Sequence, residues 1–259
     1  GYHCLPGRPG PAQSGPSWKA VVPSMREDRA AQTPAPPTVV RHTRHGELTV
    51  EKKPTWRGWI HAGFSPFAIA MGVVAIVVAP TLQLRLACLV YTITAVMLFG
   101  TSAIYHRFYW GARMNAVLRR LDHSNIALII AGTYTPLAVS FLPSGPATVL
   151  LAVIWSIGAL LVLFRVFWLG APRWLYTPLY VVMGCIALLY LPAFFAVNVP
   201  ATVLLICGGA AYIAGAVCYA TKWPRLRPAT FSFHEVFHAC TIVGFVCHYI
   251  SIMLAMFAS

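Results

Sequence analysis

From residue 61 onward the chain is written as seven apolar runs, at about 61–79, 86–105, 125–142, 147–167, 174–195, 201–221 and 235–257. Each is roughly twenty residues long, the length of helix that crosses a hydrocarbon core about 30 Å thick. The runs are continuous rather than alternating, so spanning strands of a barrel are excluded. Breakers fill the gaps: Pro80, then Pro143 with Gly145 and Pro146, then Gly170 with Pro172, Pro192 and Pro200, then Pro224 and Pro228. Pro66, Pro136 and Pro178 fall inside runs, where membrane helices tolerate them. The pattern predicts an all-α seven-transmembrane-helix bundle over 56–259.

Residues 1–55 have a different composition. They hold nine prolines and show no helical or strand period, which predicts a disordered, basic tail. No short charged-then-apolar signal peptide opens the chain, so the first apolar run is expected to act as its own targeting signal.

Charge separates the membrane reading from its rival. The formal net charge is +13, which by itself suits nucleic acid. The basic residues, however, punctuate the apolar runs instead of forming one patch, and a nucleic-acid footprint needs a patch. No nucleic-acid partner is expected; membrane lipids are. Lys and Arg crowd one set of connections: nine through Arg57, then Arg107, Arg113, Arg119 and Arg120, then Arg165 and Arg173, then Lys222, Arg225 and Arg227. The other set has only Arg85. The bias places the N-terminus in the cytoplasm of a multi-pass cell-membrane protein and, with seven spans, Ser259 outside.

The seven cysteines form no C-x-x-C pair and six lie in apolar runs. They read as packing residues, with neither a disulfide framework nor a thiolate zinc site indicated.

Acids are the informative scarcity. Of six in the chain, only Asp122 and Glu235 lie in the membrane domain, and ionisable residues at bilayer depth point to function. His106 closes the second run, Asp122 opens the third, and His234 and His238 open the seventh, so all four share one depth. His234 and His238 are four residues apart and face one way on a helix, an arrangement that chelates a divalent metal. His106 as third ligand makes a three-histidine zinc site with one open position. Asp122 would then hydrogen-bond a water there or orient a ligand histidine. Ser102 lies one turn before His106. His61 and His123 read as interfacial anchors at helix ends, and His248, deeper, as a packed polar contact. His234 to His238 also spells H-E-x-x-H, in which Glu235 would be the base of a metalloprotease. The extended pattern needs a histidine six residues on, where Gly244 stands, so His106 is the better third ligand.

Three blocks in this order resemble the hemolysin III family, within the progestin and adipoQ receptor superfamily. They are Ser102-Ala103-Ile104-Tyr105-His106; Leu121-Asp122-His123-Ser124 running into Ala131-Gly132-Thr133-Tyr134-Thr135-Pro136; and His234-Glu235-Val236-Phe237-His238. His61-Ala62-Gly63 resembles the family's histidine near the first span. The likeness covers about 56–257. It implies seven helices with the N-terminus inside and zinc on His106, His234 and His238, with Ser102 and Asp122 close by. The superfamily is similar to alkaline ceramidases, which implies zinc-dependent hydrolysis of a lipid amide. In that reading Asp122 is the general base and then acid, and Ser102 donates to the developing oxyanion. A non-enzymatic membrane sensor with structural zinc is the alternative, with Asp122 filling the fourth position. A cytolysin, the activity behind the family's name, is the third reading.

Overall fold

The computed structural model of the protein describes residues 39–42, 48–51 and 54–258, Pro228 apart, all within one compact unit, Thr38–Ser259. Most of the 1–55 tail, including His3, Cys4 and His45, lies outside the described residues. Within it, β1 (Val39–His42) pairs antiparallel with β2 (Leu48–Glu51), Val39 opposite Glu51. This pairing departs from the expectation of a tail without strand period. Val39, Val40, Thr49 and Val50 are nevertheless good strand formers on either side of Gly46.

The apolar runs become helices: α1 (Trp59–Val78), α2 (Leu82–Arg107), α3 (Ala112–Phe141), α4 (Ser144–Phe167), α5 (Arg173–Cys185), α6 (Leu191–Val197), α7 (Val199–Thr221) and α8 (Phe233–Met256). A 3₁₀ segment, Ile186–Tyr190, joins α5 to α6, and Arg173–Val197 make one crossing. Among the described residues seven crossings are long and apolar enough to span a membrane. Phe67, Val77, Leu160 and Leu189 point out of the bundle, each more than half exposed, as expected of surfaces that meet lipid rather than water. The protein is a seven-helix, multi-pass membrane protein.

Two boundaries differ from the sequence reading. α3 starts at Ala112, not near 125, so Asp122 sits in its third turn instead of opening it. Arg113, Asn115, Arg119 and Arg120 end the apolar run, but no Gly or Pro ends the helix. Arg120 settles by donating to the Val166 and Ala116 carbonyls at 2.9 and 3.2 Å. The fifth crossing, read as continuous over 174–195, is broken. Pro192 has no N–H to continue the α-helical ladder, and before it, where α5 gives way to the 3₁₀ segment, the Tyr134 side chain of α3 bonds the backbone. Its hydroxyl donates to the Gly184 carbonyl at 2.7 Å and accepts from the Ala187 N–H at 2.6 Å.

α3 is the central helix: 72% of its apolar window is buried, against 22% for α1. Close approach to its neighbours needs small residues. A Cβ on Gly132 would strike the Thr94 side chain of α2, and one on Gly72 would strike Thr92. α7 and α8 meet through Gly208, Gly215 and Gly244, facing His248, Cys240 and Tyr212. Small faces of this kind substitute for hydrophobic driving force between helices in lipid.

Two devices fix the end of the bundle where α2 finishes and α1, α3 and α8 begin. Gly58 adopts φ +83°, and a Cβ there would lie 2.8 Å from the Arg107 nitrogen. Only glycine lets α1 start this close to the last turn of α2. The turn at Thr55-Trp56 donates from its amides to the Ala229 and Thr230 carbonyls at 3.1 and 3.2 Å. That tie brings Arg57 against the first turn of α8.

Candidate metal centre

His106 ends α2, while His234 and His238 occupy successive turns at the start of α8. One ligand nitrogen from each lies within 4.8 Å of the other two. His106 and His238 are buried and His234 is half-buried. The Nε2 atoms of His106 and His234 are 3.3 Å apart. Two nitrogens bound at about 2.0–2.1 Å in a tetrahedron lie roughly 3.3–3.4 Å apart, so this pair already has the edge of a tetrahedral metal site. A buried, all-imidazole donor set fits a divalent transition metal. These three residues are a site able to hold a metal ion.

Asp122 faces the same point. Its Oδ2 is 3.6 Å from His106 Nε2, and it stands outside the tight three-nitrogen group. Ser102, one turn before His106, is buried at 2% exposure. All five residues singled out in the sequence line one cavity of about 1040 Å³ inside the bundle. Its deeper wall is mainly apolar, with Ile126, Ile130, Leu137 and Leu205 beside Thr133, Tyr212 and His248.

His61 and His123 are not interfacial anchors. His61 is 2% exposed, and its ring stacks on that of His238 at 3.9 Å and 7° while Phe99 meets it edge-on at 5.1 Å. It holds the His238 ring in place and lines the cavity. His123 is buried, with Nδ1 2.7 Å from the Arg119 carbonyl. His248 is a packed polar contact, its Nε2 3.1 Å from the Leu205 carbonyl.

Glu235 is fully buried and committed elsewhere. Its Oε2 accepts from the Ser232 N–H and its Oε1 from Arg57 Nε, both at 2.8 Å. It caps α8 in a Ser-x-x-Glu box, which removes it from the role of base in a protease-like site. Arg165, counted above as a charge near a connection, is inside α4 and 0% exposed, with its guanidinium 4.2 Å above the Tyr176 ring. Six cysteines, Cys88, Cys185, Cys207, Cys218, Cys240 and Cys247, are free.

The role of Arg57 and the tyrosine wall lie beyond the expectations drawn from the sequence. Tyr219 packs 5.6 Å from the His234 ring and under the Arg173 guanidinium at 4.4 Å. The signal for Arg57 was present. A second intramembrane acid needs a partner, and Arg57 immediately precedes the first run.

Comparison with known proteins agrees with the architecture. Residues 50–249 match the family model described as haemolysin-III related. The "Hemolysin-3 homolog" of Bacillus subtilis (strain 168) is 26% identical over 156 residues, 60% of this chain and 70% of that protein. "Hemolysin-3" of Bacillus cereus is 28% identical over 156 residues, 60% of this chain and 68% of its own length. With the match spanning most of the helical bundle and all three histidines, the chain belongs to the haemolysin-III family.

Proposed function

We propose that this protein is a zinc-dependent hydrolase that cleaves an amide bond in a membrane lipid at the cytoplasmic side of the bilayer. The observation that carries the reading is the placement of Asp122, 3.6 Å from His106 Nε2, beside three converging imidazoles at the wall of a cavity large enough for an acyl chain. His106, His234 and His238 would hold the metal. Zinc bound there supplies Lewis acidity and a water of lowered pKa.

The chain's own groups divide the remaining work. Asp122 takes the proton of the attacking water on Oδ2 and returns it to the amide nitrogen as that nitrogen leaves. Ser102 Oγ donates to the oxygen that becomes negative. His61 keeps the His238 ring from turning. The Arg57–Glu235 pair anchors the first turn of α8, and two of the three imidazoles stand on the first two turns of that helix. The apolar depth of the cavity receives the acyl chain and excludes water.

The sensor alternative needs Asp122 as a fourth protein ligand, since structural zinc sites are closed. A carboxylate outside the tight ligand group favours an open position instead. The two Bacillus relatives carry haemolysis in their names. Lysis of red cells by the purified protein, tested beside the hydrolase assay, separates that activity from this one.

The direct test is metal analysis of purified protein. Wild type should carry about one zinc per chain, and the His234→Ala/His238→Ala variant almost none. Release of fatty acid from lipid amides in liposomes should track that zinc. Equal zinc in the two proteins would remove the basis of the proposal.

A further inference from the structure

The cavity carries positive charge that the proposed hydrolysis does not use. Arg57, Arg119 and Arg173 line it, and among the described lining residues Asp122 is the only carboxylate. Arg57 is neutralised by Glu235 at 2.8 Å. Among the described residues neither Arg119 nor Arg173 is in an ion pair. Arg173 is held instead by the Tyr219 carbonyl at 3.2 Å and lies over the Tyr219 and Phe233 rings at 4.4 and 5.6 Å. That fixes its direction and leaves most of its donors unused.

The same face of α5 adds two further observations. Arg173, Tyr176 and Thr177 are spaced i, i+3 and i+4 and so share one side of the first turns; all three line the cavity. Thr177 is 9% exposed, and its hydroxyl makes no hydrogen bond. Behind Tyr176 lies Arg165, fully buried, with none of its three guanidinium nitrogens hydrogen-bonded. Buried donors and charges are costly when unpaired. This wall therefore favours an anion.

Distance decides which part of a ligand the anion is. Arg173 and His234 both pack against the Tyr219 ring, the guanidinium 4.4 Å and the imidazole 5.6 Å from its centre. An anionic group on this wall is thus only a few bonds from an amide at the histidines, while the acyl chain runs to the apolar depth. In an N-acyl amino acid the carboxylate and the amide carbonyl carbon are three bonds apart, roughly 4 Å.

We infer that the cavity takes an acyl amide whose amine half carries a carboxylate, held by Arg173, Arg119 and the Thr177 hydroxyl. The choice of an amide rests on the hydrolase reading above; the choice of an anion does not. In the reaction the carbonyl carbon gains a C–O bond from water and loses its C–N bond. One water proton passes through Asp122 to the nitrogen as it leaves, the new carboxylic acid gives up the second to the freed amine, and the products are a fatty carboxylate and an amino acid with its amine as ammonium.

The test uses the purified full chain, with zinc content measured, in lipid nanodiscs. N-palmitoylglycine and N-palmitoylethanolamine share chain and amide and differ in carboxylate against alcohol. A keto acid in which CH₂ replaces the amide N–H reports binding without turnover. The glycine amide should be cleaved with kcat/KM about tenfold or more above the ethanolamide, the size of one charge-assisted hydrogen bond. That ratio should fall toward one in Arg173→Gln and in Arg119→Gln, the latter at an exposed position. Keto-acid binding should weaken by a similar factor in both, and Arg173→Lys should restore part of it. Equal cleavage of both amides, with keto-acid binding unchanged in the variants, overturns the inference and leaves the hydrolase reading standing. Cleavage of neither amide, with keto-acid binding that still depends on the arginines, overturns the hydrolase reading and supports the anion site.

Discussion

At the scale of single residues, the two acids of the membrane domain have opposite tasks, and substitution separates them. Asp122 faces the three imidazoles across 3.6 Å. Asp122→Asn keeps the shape and removes the proton acceptor, so zinc content should stay near wild type while amide turnover falls by roughly 10²–10⁴. Ser102→Ala should likewise keep zinc and lose about a hundredfold or more. Full activity in Asp122→Asn would end the role given to that carboxylate. Glu235 is structural. Glu235→Gln keeps an oxygen for the Ser232 N–H and a capping-box residue, so most activity and stability should survive. A protease-like general base would not tolerate that change. Arg57→Ala, by contrast, strips the buried carboxylate of its 2.8 Å partner and should cost about 1–3 kcal/mol. Thermal unfolding in detergent and zinc content of the two variants give the comparison; a Glu235→Gln protein with full zinc but no turnover would return the base to Glu235.

At the scale of helices, the sequence was legible where a helix meets lipid and illegible where it meets another helix. Hydropathy found every crossing, because lipid-facing positions must be apolar. It cut α3 short at 125, because Arg119, Arg120 and Asp122 are polar residues of a continuous helix that face the cavity or snorkel to carbonyls. It also read Arg165 as a loop charge and His61 as an anchor, because nothing in a single chain tells an interfacial position from one enclosed by neighbouring helices. The trio of histidines was legible because helical spacing fixes His234 and His238 on one face, and the ends of α2 and α8 share a depth. The break between α5 and α6 was not legible. Pro192 signals it, but the hydroxyl that bonds Gly184 and Ala187 comes from Tyr134, about fifty residues earlier in the chain. Tyr134→Phe should leave the Gly184 carbonyl and the Ala187 N–H without their 2.7 and 2.6 Å partner. The expected cost is about 1–3 kcal/mol, with faster hydrogen exchange at Ala187. Unchanged stability and exchange would mean that the 3₁₀ segment finds its partners elsewhere.

At the scale of the whole molecule, the candidate metal site and the charge bias lie at the same end. α2 finishes and α8 begins at that end, which carries Arg107, Arg113, Arg119, Arg120, Arg173, Lys222, Arg225 and Arg227. At the opposite end Arg85 folds back onto the Ala79 carbonyl at 3.0 Å. Basic connections stay in the cytoplasm, so the histidines, Asp122 and the arginine-lined wall should all open toward the inner leaflet. A reporter active only in the cytoplasm, fused after Arg227 in the connection between α7 and α8, should be active. The same reporter after Ser259 should be silent, since one further crossing, α8, separates the two points. A cysteine-directed, membrane-impermeant reagent gives an independent reading from intact cells, with single cysteines placed at Lys222 and at Thr81 in a chain otherwise free of them. Thr81 should react from outside and Lys222 only after permeabilisation. The reverse pattern would put the cavity mouth on the outer face, and the amide substrate would then have to be supplied from the outer leaflet.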